Sequence, residues 1–170
     1  VNIRTETAAD VAAIETLTYS AFDGHPHHAP GAKPTEHLIV NRLREIGGLA
    51  LSLVAAETDR IVGHIAFSPV SVGGNAAGWY GLAPVSVLPE RQGEGIGSRL
   101  VREGISRLQA TGAAGFVLLG EPGYYGRFGF KACAEMTLPG VPADYFLILP
   151  TPGGKPLPAG DVAFHPAFNS

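Results

Sequence analysis

The stretch "VSVLPERQGEGIGSRL", residues 85–100, leaves a β-branched apolar run, passes one proline, places three glycines within five residues and then takes on helical periodicity. A helix N-terminus presents backbone N–H groups without intrahelical partners and carries a partial positive charge, so a loop wrapped around such an end is an anion site. In "QGEGIG" the glycines leave no Cβ in the path of a phosphate, and the N–H groups of Gly93, Glu94, Gly95, Ile96, Gly97 and Ser98 can converge on one anion. Gln92 and Arg91 add side-chain donors at the rim. The residues alone therefore predict a phosphate or pyrophosphate at the start of a helix beginning near Gly95. Two nucleotide readings weaken on spacing. A P-loop needs Gly-Lys-Ser/Thr where this chain has Gly97-Ser98-Arg99. A dinucleotide fingerprint needs a third glycine where Ser98 stands and an acid about 20 residues on, where "GAAGFV" has none. Glu90 and Glu94 lie close to the anion site and have to point into solvent for it to work.

Outward from this loop, the apolar pattern divides the chain into helices and strands. "TAADVAAIETLTYSAF" carries Thr7 and Asp10 in a capping-box arrangement, then Val11, Ile14, Leu17 and Ala21 at helical spacing, which predicts a helix over about 8–22. "DGHPHHAPGAKPTEH" reads as a loop, because proline and glycine break the pattern. A second helix, about 35–46, presents Leu38, Ile39, Leu43 and Ile46 and stops at Gly47-Gly48. "LALSLVAAE" and "RIVGHIAFSPVSV" flank Thr58-Asp59 as a hairpin, and "GWYGLAPVSVL" follows the turn-rich "GGNAAG" as a third antiparallel strand. The helix after the glycine loop buries Ile96, Leu100, Val101, Ile105 and Leu108 and ends near Gly112. "GFVLLG" then forms a strand parallel to the preceding one through a right-handed crossover. The tail from Pro139 holds seven of the 14 prolines, which leaves "DYFLILP" and "DVAFHPAF" as strand-like pieces in a loop-rich end. The expected fold is α/β in the broad sense: a mixed, mostly antiparallel sheet with helices on both faces, in one domain spanning 1–170.

Composition sets outer limits. With 170 residues, 45% of them hydrophobic, the chain can bury one core. A net charge of −3 lacks the footprint of a general nucleic-acid binder. No basic start precedes a long apolar segment, and no run approaches the ~20 apolar residues of a membrane span. A single cysteine, Cys133, forms no internal disulfide. These features lead to the expectation of a soluble, cytoplasmic protein that binds neither nucleic acid nor membrane. The histidines His25, His27, His28 and His37 lack cysteine or carboxylate partners at metal-ligand spacing, so no metal is expected.

The quoted stretch resembles the acyl-CoA signature of the GNAT superfamily of N-acetyltransferases: a strand ending in valine, a proline turn, and Gln/Arg-x-x-Gly-x-Gly/Ala at a helix start, matched by Gln92, Gly95 and Gly97. "YYGRFGF" is similar to the family's Tyr-x-x-x-Gly-Phe segment through Tyr125, Gly129 and Phe130. The resemblance covers about residues 3–135 and implies a GNAT-like fold. It implies that the strand of Val85, Ser86 and Val87 splays from "GFVLLG", that its free peptide groups receive the coenzyme's pantetheine arm, and that a backbone N–H near Val87 polarises the thioester carbonyl. It further implies acetyl-CoA as co-substrate, its pyrophosphate on residues 93–98, and Tyr125 as the general acid toward the departing thiolate. Tyr124 is read as structural. An alkylamine titrates near ~10, so a proton has to leave it before attack. Glu121, His64 and Glu57 are candidates for that base, and none is singled out. The acceptor is a primary amine of unspecified identity, attacked directly in a ternary complex, since nothing beside Cys133 would activate it. The alternative from another class is a non-catalytic acyl-CoA binding or sensing domain. The apolar "DYFLILP" is available to a partner subunit in a homodimer.

Overall fold

Alternating apolar residues fold into the expected hairpins. In the computed structural model, which describes residues 1–23, 31, 33–58, 60–153 and 156–169, β1 (Asn2–Thr5) pairs with β2 (Leu51–Glu57), β2 pairs with β3 (Arg60–Val72), and β4 (Asn75–Val87) returns along β3. Only Gly73 and Gly74 of "GGNAAG" form the turn, both at positive φ, the geometry whose twist matches the flanking strands. Asp59 of the first expected turn, and His25, His27 and His28, lie outside the described residues.

The sheet continues with β5 (Gly115–Leu119), while β6 (Met136–Thr137), β7 (Phe146–Pro150) and β8 (Gly160–Ala163) come from the proline-rich end. The order is β1-β2-β3-β4-β5-β7, with β8 joining β3 beyond the end of β2 and pairing also with β6. β4–β5 and β6–β8 are parallel and the other pairs antiparallel. Phe146, Leu147 and Ile148 are buried against β5 and its surroundings, and β7 is the last strand of the sheet, with the Lys131–Ile148 bridge on its outer side.

Helices cover both faces. α1 (Val11–Phe22) and α2 (Glu36–Glu45) lie on one, where Ile14 and Val40 meet Val54. α3 (Ile96–Ala110) lies on the other, and all five of its expected core residues are buried with Leu53, Ile65, Phe67 and Phe116. At Gly104 a Cβ would fall 2.2 Å from the Phe67 ring, so this glycine sets how closely α3 approaches β3. The phase of α2 departs from expectation: Val40 and Leu43 are buried, while Leu38 and Ile46 are 39% and 59% exposed. Its inner face is chosen by contact with α1, and the sequence spacing alone fits more than one phase.

Candidate active site

The site begins where two strands part. β4 and β5 are paired only at Trp79–Gly115, Tyr80–Phe116 and Gly81–Val117. Just beyond, β4 spends two residues, Ala83 and Pro84, between Leu82 and Val85, where β3 spends one, Ala66, between Ile65 and Phe67. Such a bulge bends a strand and increases its twist. β5 meanwhile stays with β7 through Leu119, so β4 follows β3, β5 follows β7, and a gap opens between them.

The peptide groups along that gap can be assigned by alternation. The Leu88 N–H donates to the Val62 carbonyl of β3, whereas the Val87 carbonyl points the other way and accepts from the Gln92 side chain at 3.1 Å. Peptide groups of successive residues alternate in direction, so Val85 and Val87 turn theirs to the open edge, while Ser86 turns its own to His64 of β3. The Ser86 hydroxyl is buried.

At the foot of the gap lies the glycine loop. Gly93 and Gly95 both sit at φ +84°, a region that favours glycine, with open space where a Cβ would project. Gly95 is the N-cap of α3 and its carbonyl takes the Arg99 N–H at 3.1 Å. No carbonyl among the described residues takes the N–H groups of Gly93 to Ser98. The glutamates beside the loop are held aside by arginines. Glu94 accepts from Arg91 at 3.0 Å, and Glu90 stands 4.0 Å from Arg60. Arg91 also pairs with Glu57, so it is committed to carboxylates and is not the rim donor expected from sequence.

Gln92 and Ser98 connect the loop to the interior. The Ser98 and Tyr124 hydroxyls are hydrogen bonded at 3.0 Å, and Tyr124 packs edge-on against Tyr125. Both tyrosines belong to the short helix α4 (Pro122–Tyr125), whose first turn is closed by their N–H groups donating to the Glu121 carbonyl. The Tyr125 ring fits over Gly120, where a Cβ would come within 2.6 Å of it. Burial, with Tyr124 adding to it, pushes the Tyr125 phenol up to about 12, so it stays protonated through the neutral range.

Both tyrosines line a cavity of about 550 Å³ that fills the gap. Val85 and Glu121 line it as well, so the structure brings together Tyr125, part of the β4 edge and one of the three base candidates. The other two candidates lie elsewhere. Glu57 is bound to Arg91, with Arg60 also near, and these hold its carboxyl below the usual range. His64 is fully buried, and burial pushes it down to about 4 despite Glu6 nearby. Its Nε2–H donates to the Ser52 hydroxyl at 2.7 Å, which in turn donates to Glu6. Sequence reading missed the far wall of the cavity, formed by Phe22, Glu36, Ile39, Leu138, Phe164 and Phe168. The signal available was the pair of phenylalanines in "DVAFHPAF", which has no meaning until the tail is placed.

Cys133 donates to the Glu135 carboxylate, and burial together with this contact pushes the thiol up, so it is kept as the un-nucleophilic thiol. Among the described residues no three His, Cys, Asp or Glu side chains converge as a metal would require.

A parted sheet exposes peptide groups that an extended ligand can satisfy, and an anion loop at its foot asks that the ligand carry phosphate. With phenols at the inner end, this is the architecture of an acyl-coenzyme A transferase. Residues 2–133 match the family model described as the acetyltransferase (GNAT) domain, and the chain belongs to that family of N-acetyltransferases. It is 37% identical over 137 residues, 80% of this chain and 77% of the other, to the Escherichia coli (strain K12) protein named as the uncharacterized N-acetyltransferase YhbS. Among solved structures it is similar to a GNAT family acetyltransferase from Brucella melitensis in complex with acetyl-CoA, with 49% identity, 98% and 97% of the two chains covered and a TM-score of 0.85. It is also similar to E. coli YhbS in complex with CoA, with 33% identity, 99% and 92% covered and a TM-score of 0.87.

Proposed function

We propose that this enzyme transfers an acetyl group from acetyl-CoA to a primary amine by direct attack in a ternary complex. The observation that carries the reading is the gap between β4 and β5, with free peptide groups on one side and the protonated Tyr125 at its inner end. The Gly93–Ser98 N–H groups hold the coenzyme's pyrophosphate, with the Glu94 carboxylate drawn off by Arg91. Pantetheine runs along Val85 and Val87 as an added strand would, and the Val87 N–H polarises the thioester carbonyl. Gln92 holds the Val87 peptide in place from outside the strand.

The amine nitrogen attacks the carbonyl carbon, a C–N bond forms and the C–S bond breaks. The leaving thiolate takes a hydrogen bond and then a proton from Tyr125, and the surplus proton on nitrogen passes to Glu121, directly or through water. Glu121 is assigned here because it lines the cavity with Tyr125, and His64 and Glu57 do not. Among the described residues no helix is long and apolar enough to cross a membrane. The reading also places the enzyme in the cytoplasm, where a lone thiol stays reduced, and includes a homodimer, which sedimentation tests.

Thiol release from acetyl-CoA, measured across a panel of primary amines, tests the reaction. Tyr125→Phe is expected to lower kcat by about 100-fold or more with little change in the KM for acetyl-CoA, and Tyr124→Phe by less than about tenfold. Unchanged kcat in Tyr125→Phe would remove the proton donor from the mechanism.

A further inference from the structure

Among the described residues the acceptor side of the cavity is built mostly of apolar side chains. Phe22 and Ile39, from the end of α1 and the start of α2, stand on one side. Phe164 and Phe168, from the segment after β7, stand on another, with ring centroids 5.5 Å apart. The chain makes room for this second wall. At Gly81, the last residue of β4 paired with β5, a Cβ would fall 2.5 Å from the Phe164 ring. Any side chain there would push Phe164 out of the opening. Both phenylalanines lie beyond residue 133, where the match to the family model ends, so this wall belongs to the part of the chain that the shared coenzyme machinery does not dictate.

Among the described residues the charge lining the cavity is of one sign. It comes from Glu36 and Glu121, on different walls; Glu36 has an interaction of its own, and Glu121 is exposed. The exposed Glu121 carboxylate at the edge of an apolar cleft attracts an ammonium and disfavours an acceptor that brings its own anion. Apolar walls disfavour an acceptor rich in hydroxyls, because each hydroxyl gives up water without gaining a partner. The same cavity has to admit the thioester end of the coenzyme, which leaves space for a small body only.

We propose that the acceptor is a small primary amine with an apolar body, an alkyl or aryl chain about the size of hexyl or phenylethyl. Its ammonium is drawn in by Glu121, and its body packs between Ile39 and Phe168. This rests on the N-acetyltransferase reading above and narrows it. The C-terminal segment acts as the specificity wall, and the coenzyme side is indifferent to it.

The full chain is assayed with acetyl-CoA and the series ethylamine, butylamine, hexylamine, beside phenylethylamine, glucosamine and a short peptide with a free N-terminus. The expected result is a kcat/KM that rises about fourfold per added methylene up to hexylamine, with glucosamine at least about 100-fold below hexylamine. Phe168→Ala is expected to flatten the series and raise the KM for hexylamine with the KM for acetyl-CoA unchanged, and Phe168→Leu to keep the slope. A flat series in the parent chain, or glucosamine or the peptide preferred over hexylamine, overturns the proposal and leaves acetyl transfer standing. Binding is read separately from turnover. With CoA present, hexylamine raises the melting temperature more than ethylamine at equal concentration. Equal shifts overturn the proposal. The absence of transfer to every amine, with that difference retained, overturns the enzyme reading alone.

Discussion

Two halves of the same pair of strands behave oppositely. Over Trp79–Gly81 and Gly115–Val117, β4 and β5 form an ordinary parallel ladder, and Gly115 yields space to the Trp79 ring, which a Cβ would meet at 2.5 Å. One bulge later the ladder stops, and the peptide groups of Val85 and Val87 turn to the open edge, where Val85 lines the cavity. Backbone groups away from water are ordinarily paired. The open half therefore teaches that a fold can set aside strand-pairing capacity for a ligand, and that the zipped half supplies the rigid base from which the gap is held.

The difference between the halves can be broken at the foot of the gap. Gly95→Val places a β-branched side chain at φ +84° and in the phosphate's path. Strain of ~1–3 kcal/mol and the loss of charge-assisted hydrogen bonds of ~1.5–3 kcal/mol each combine to an acetyl-CoA affinity about 100-fold weaker. Calorimetric titration measures it, and an affinity within threefold of the parent would mean the phosphates sit elsewhere. Gly74→Ala, in the hairpin turn far along β4, is the comparison: it is expected to cost stability and leave coenzyme affinity alone.

Beneath the open half, on the face of α1 and α2, lies a second contrast. Ser86 stands opposite His64, and the His64 ring is buried with Glu6 and Arg44 as charged neighbours. Its folded pKa of about 4 lies below the ordinary 6.5. Between these values the unfolded chain binds a proton that the folded chain refuses, so stability falls as pH drops from about 6.5 to about 4. Thermal melts should show the melting temperature declining by several degrees across that window, with the slope reduced in His64→Gln. An unchanged slope in the variant would assign the decline to other groups. Asp10, whose carboxyl is held down by Arg4, loses its contribution only at lower pH, below the His64 window.

The smallest expected effect sharpens the boundary between loop and strand. Gln92→Ala removes one hydrogen bond to the Val87 carbonyl, worth about 1 kcal/mol, and should weaken acetyl-CoA binding by about fivefold. A loss as large as that of Gly95→Val would mean that Gln92 touches the coenzyme itself.

What could be read from the sequence follows the same division. The proposed coenzyme side is written in consecutive residues: a strand, glycines at fixed spacing and a helix start, so Gly93 to Ser98 could be singled out from the residues, and Val85 to Val87 and Tyr125 from the family resemblance. The proposed acceptor side draws Phe22 and Glu36 from one end of the chain and Phe168 from a segment more than a hundred residues away, and their meeting depends on where β7 and β8 carry the tail. The bulge was legible in part, since Pro84 sits inside an otherwise regular strand pattern, where proline marks an irregularity. The phase of α2 was not, because Leu38, Ile39, Val40, Leu43 and Ile46 allow more than one inner face and the neighbouring helix selects between them. Arg91 was misplaced for a related reason: its partner Glu57 is 34 residues away and adjacent only across the folded sheet.

A crystal structure of the chain with acetyl-CoA tests the central claim most directly. It should show the pyrophosphate oxygens within hydrogen-bond reach of the N–H groups of Gly93 to Ser98, and the pantetheine amides paired to the Val85 and Val87 peptides. A coenzyme bound with its phosphates away from the α3 entrance, or β4 and β5 closed against each other through Val87, would contradict it.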